Sequence, residues 1–186
     1  EERDWSSDVC SSDLALEARL SYAIKWGQDS TCDLSMCQIQ PNQVKDLLCA
    51  VFAPPPKKGS AGDPNVMTGP RVFVRRLCLG GNRLNYVAVA ELAEFLRFSV
   101  VAKEKIEALD FACDRFGNLY TAPQARNSIG DEGAAQIATV LAVAGNLREL
   151  TVAGNDIGPR GLASLVGALE RQRALGKRPL EVLNVN

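Results

Sequence analysis

The residues best equipped for chemistry in this 186-residue chain are six cysteines, Cys10, Cys32, Cys37, Cys49, Cys78 and Cys113. Thiolates hold zinc when they come as Cys-x-x-Cys pairs completed by further cysteine or histidine. No such pair occurs, and the sequence contains no histidine. That removes the commonest metal ligand and the commonest acid–base residue together. Cys32, Cys37 and Cys49 fall at positions that want a small buried side chain, so they read as structural thiols. With Cys10 set aside with the tail described below, five cysteines remain. An odd number suits a reducing compartment, and a cytoplasmic location is the expectation.

The other chemical candidates have plainer readings. Asp131-Glu132 could be paired carboxylates, but they open a helical pattern, where negative charge complements the helix dipole; capping is the expected role. Gly59-Ser60-Ala61-Gly62 and Gly80-Gly81 match neither G-x-x-x-x-G-K-[ST] nor G-x-G-x-x-G, so they read as a flexible loop and a close-packed turn. Asp114 to Tyr120, DRFGNLY, offers aromatic side chains for a small binding knob on a loop. No catalytic residue, metal ligand or cofactor site emerges, and no small-molecule substrate is expected.

Composition bounds the class. Hydrophobic residues make up 46% and charged residues 23%, with 21 basic against 22 acidic side chains. This balance is that of an ordinary globular protein and gives no reason to expect nucleic acid or an anionic membrane as partner. No apolar run approaches the roughly 20 residues of a membrane helix. The first residues stand apart: Asp4 to Leu14, DWSSDVCSSDL, resembles the translation of a common sequencing adapter. Residues 1–14 are therefore read as a non-native, irregular tail, and the remainder as a fragment.

Positioning must come from the rest, where two periodicities alternate. Leu147-x-x-Leu150-x-Val152-x-x-Asn155-x-Ile157 alternates at strand spacing. Leu162, Leu165, Val166 and Leu169 then mark one face of a helix. The same pair recurs along the chain. Cys32-x-Leu34-x-x-Cys37-x-Ile39 precedes Pro41 and a helix with Val44, Leu47, Leu48 and Val51. Leu77-x-Leu79-x-x-Asn82-x-Leu84 precedes a helix with Val89, Leu92, Ala93 and Leu96. Ile106-x-x-Leu109-x-Phe111 closes at Asn127-x-Ile129 and leads to Ala134, Ile137, Ala138 and Leu141. Leu180-x-x-Leu183-x-Val185 opens another strand, and an earlier helix is expected over 15–24 on Leu16, Leu20, Ala23 and Ile24. From strand to helix the offset is 10 in three units and 23 in the one starting at Phe111; a 13-residue insertion explains both that excess and the late Asn127. Removing it leaves a unit of about 28 residues.

This pattern, L-x-x-L-x-L-x-x-N/C-x-L followed by a helix, resembles a leucine-rich repeat of the ribonuclease-inhibitor-like class. The resemblance covers residues 15–186 as one partial domain, with loop insertions near 53–70 and 112–124; NDIGPRGLASLVGAL is its strongest stretch. It implies an α/β solenoid, a horseshoe with a parallel sheet on the concave face and helices on the convex face. Proteins of this kind bind other proteins, so a protein partner and no catalysis are implied. The alternative is the regulatory or sensor repeat region of a larger nucleotide-dependent receptor or enzyme; a Ran-type GTPase activator comes third. Strand alternation puts the contact positions at Asp33, Ser35, Arg76, Cys78, Gly80, Ala108, Asp110, Glu149, Thr151, Val182 and Asn184.

Overall fold

The structure, a computed structural model, describes residues 30–52, 74–112 and 126–185. The expected helix over 15–24, the tail 1–14, Cys10, Cys113 and the Asp114–Tyr120 loop lie outside the described residues. So do the insertion near 53–70 and nearly all of that near 112–124.

Five three-residue strands form one parallel sheet in chain order: β1 (Thr31–Asp33), β2 (Arg76–Cys78), β3 (Ala108–Asp110), β4 (Glu149–Thr151) and β5 (Val182–Asn184). Parallel neighbours need a crossover, and helices supply it. A 3₁₀ turn at Pro41–Gln43 leads into α1 (Val44–Phe52); α2 (Tyr86–Phe98), α3 (Val100–Lys105), α4 (Gly130–Val143) and α5 (Pro159–Ala174) follow. The chain thus has an α/β repeat fold. Pro41 opens the 3₁₀ turn, one step ahead of the helix proper. The short α3 was not foreseen from apolar spacing; Ser99 starts it by accepting the Ala102 N–H.

Register follows from burial. Cys32, Leu77, Leu109, Leu150 and Leu183 are aligned partners across the sheet. The first four are buried in one apolar core with Leu34, Leu79, Phe111 and Val152 and the helix residues Val89, Leu92, Ile137 and Leu141; Leu183 packs against it partly exposed. The intervals between the aligned residues are unequal and all longer than 28, so the counted unit does not repeat uniformly from strand to strand.

Each strand must then turn away from the sheet, which leaves backbone groups inside the protein without ladder partners. The expected Asn slot meets this need. Asn127, fully buried, accepts from the N–H groups of Asn82 and Leu84 at 2.8 and 2.9 Å. It donates to the carbonyls of Leu79 and Phe111, both at 3.0 Å. Asn82 repeats this one unit earlier, accepting from Ile39 N–H and donating to Leu34 and Gly80. Asn155 keeps the donor half, to Phe111, Val152 and Ala153, while its Oδ1 is buried without a partner. In the Cys variant of the slot, Cys37 donates its thiol to Ser35 O. Left-handed residues flank the slot: Met36 and Gln38, Gly81 and Arg83, Gly154 and Asp156.

One apolar face departs from expectation. Leu162 and Val166 are 40% and 43% exposed, whereas their counterparts Val44 and Leu48, Val89 and Ala93, and Ala134 and Ala138 are all buried. The earlier helices each have a later helix beside them: α2 beside α1, α4 beside α2 and α5 beside α4. Among the described residues α5 has no later neighbour.

Three measurable consequences follow. Asn127→Asp keeps the acceptor but aims an acceptor at two carbonyls, so it should destabilise by at least about 3 kcal/mol at pH 7. Protonating the introduced carboxylate restores a donor, so the deficit in urea melts should shrink between pH 7 and pH 4; an equal deficit at both would disprove this account of the slot. Val166→Glu should shift stability by less than about 1 kcal/mol, while Ala138→Glu at the matching buried position should cost several, by the same measurement. Finally, burial pushes the Cys32 thiol from 9.0 up to about 12, with Cys78, Asp33 and Cys37 adding smaller contributions. Its folded value lies above its unfolded one, so the stabilisation is complete below about pH 9 and declines as pH rises towards 12. A Cys32→Ala chain should show a shallower loss between pH 8.5 and 10.5.

Candidate functional site

The strand residues that flank the central core position point to the sheet's other face, and the register aligns them in rows. One row runs Thr31, Arg76, Ala108, Glu149, Val182; the next runs Asp33, Cys78, Asp110, Thr151, Asn184. All the strand positions expected to meet a partner lie in these two rows.

Of the expected contacts, Asp33, Val182 and Asn184 are exposed, and Ser35, Arg76, Glu149 and Thr151 are partly exposed. Cys78, Gly80, Ala108 and Asp110 are instead buried, which alternation alone could not reveal. Three of these have a visible cause. Arg76 Nη2 and Glu149 Oε2 meet at 2.7 Å. The two residues stand two strand spacings apart, about 9.6 Å, with Ala108 between them in register. The ion pair therefore passes over Ala108, and a methyl group is what that span leaves room for. Gly80 is a close approach: a Cβ there would lie 2.4 Å from Ala112 O. Asp110 turns its carboxylate back to the Ala112 N–H at 2.9 Å, as Asp33 does to Ser35 N–H at 3.0 Å. Both are Asx turns that end their strands.

A line of charge just ahead of the strands was missed. Arg75, Glu107, Arg148 and Glu181 immediately precede β2, β3, β4 and β5, and their signs alternate. Arg75 pairs with Glu107 at 3.0 Å and Arg148 with Glu181 at 2.8 Å. The signal was present as opposite charges in one slot of successive units. Arg76 and Glu149 likewise pair on the outer face, whose β4–β5 end presents hydroxyl, amide and aliphatic groups.

The acid pair resolves as structure. Asp131 Oδ1 accepts from Gly158 N–H at 2.7 Å and Gly161 N–H at 2.9 Å. It therefore caps α5, the helix of the following unit, from the first turn of α4. Cys32 and Cys78 are buried thiols, whereas Cys37 is partly exposed and Cys49 exposed, against the burial expected of both; among the described residues no group of three or more Cys, Asp or Glu side chains could hold a metal ion. No helix among those residues is long and apolar enough to cross a membrane. A groove of about 750 Å³ on the helical layer has alanines in its wall (Ala90, Ala93, Ala135, Ala138, Ala142) beside Arg97, Phe98 and Arg171. Glu94, Thr139 and Ser164 also line it.

Residues 146–166 match the family model for the Leucine Rich repeat. This segment is similar to a leucine-rich repeat. No curated protein and no solved structure matches the chain. The leucine-rich repeat match takes in all of β4 and the first half of α5, where the Asp131 cap and the Arg148–Glu181 pair also attach. Leucine-rich repeats commonly form protein-interaction modules.

The bridging pair and the cap can be separated by mutation. Ala108→Leu should lift the Arg76–Glu149 bridge and destabilise by about 1–3 kcal/mol, more than Glu149→Gln, which removes a half-exposed pair worth under about 1 kcal/mol. Asp131→Ala should cost about 1–2 kcal/mol. Amide exchange should then quicken at Gly158 and Gly161; unchanged exchange there would show that the carboxylate is dispensable.

Proposed function

We propose that this chain is a protein-recognition module that works by binding, not catalysis, and that it belongs to the ribonuclease-inhibitor-like class of leucine-rich repeats. On this reading residues 15–186 form one partial repeat domain, a curved solenoid of about 28-residue units carrying two loop insertions. Wide helices behind strands spaced at about 4.8 Å favour that curvature. The ribonuclease-inhibitor-like assignment draws support from full α-helices between consecutive parallel strands. Thiols without a disulfide among the described residues accord with an intracellular setting.

One observation carries the proposal: an in-register face whose outward side chains are aligned row by row, with Arg76 and Glu149 paired across it. Such a face suits recognition of a folded protein surface by shape and hydrogen bonding. The recognition patch centres on Thr151, Val182 and Asn184, with Glu149, Arg76, Asp33 and Ser35 extending it across the sheet. Cys78, Gly80, Ala108 and Asp110 contribute support from beneath.

The test is differential capture followed by measured affinity. A partner retained by the wild-type chain should bind a Thr151→Arg/Val182→Glu double variant at least tenfold more weakly. It should bind Gln136→Arg, on the helical layer, with unchanged affinity. Equal loss in both variants, or in neither, would move recognition away from the sheet face.

A further inference from the structure

We draw no further inference here: the strongest candidate, the open apolar face of α5 at Leu162 and Val166, carries nothing because nothing in the structure shows what covers it.

Discussion

The fold depends most on a buried amide at the point where β2, β3 and β4 leave the sheet. A three-residue strand satisfies few backbone groups by pairing, and the chain must then bend sharply inside the protein. A carboxamide has both the acceptor and the two donors needed to serve a bent backbone from one side chain. Asn82 and Asn127 use both ends, so each ties its own turn to the turn of the unit before it. A leucine at 127 would fill the volume and orphan the Asn82 and Leu84 N–H groups and the Leu79 carbonyl, at roughly 1–3 kcal/mol each. The flanking left-handed residues are the geometric counterpart. Glycine takes that conformation easily at Gly81 and Gly154, while Met36, Gln38, Arg83 and Asp156 adopt it as ordinary residues. The Asn slot is thus worth local backbone strain.

Helix ends extend the same coupling to the other layer. Asp131 of α4 caps the start of α5. In the reverse direction, Gln172 donates to Leu141 O and Lys177 to Ala142 O, which serves the last turn of α4. Asn146 does likewise for Glu104 O at the end of α3. Orphan groups at helix termini are a fixed cost of short helices, and here neighbouring units relieve it mutually. A unit removed from this context would lose its core partner, its Asn bonds and its caps at once. Such elements fold as neighbours or not at all.

Much of this was legible in the sequence because two periods, 2 and 3.6, leave separate marks. Leu77-x-Leu79 and Leu150-x-Val152 place strands and their inward side chains. Val89, Leu92, Ala93 and Leu96 place a helix and the face it buries, and the structure agrees at each. The Asn slot was legible for its role but not for its reach into the preceding unit. Burial of Ala108 and Asp110 was not legible, since alternation assigns a side chain to a face without saying what lies over it. That depended on long-range events: an arginine and a glutamate two strands apart meeting above an alanine, and an aspartate bonding its own backbone. Leu162 and Val166 failed for the complementary reason. Their pattern is that of a buried face, and burial requires a neighbour that pattern cannot guarantee.

Pairing within the face also constrains how it can recognise anything. An exposed salt bridge contributes little to stability, so Arg76–Glu149 and Arg148–Glu181 are not what holds the sheet together. Their effect is on the surface field: each arginine is answered by a glutamate on the same face, which suppresses long-range attraction for charged partners. On the proposed reading, a partner would gain affinity at short range, by shape and by hydrogen bonds to groups such as Thr151 and Asn184, or by covering Val182. Such recognition depends on a platform that does not deform, because contacts of this kind vanish with small displacements. On the proposed reading, the buried amides and shared caps that join neighbouring units also hold the outer face in the shape a partner would meet.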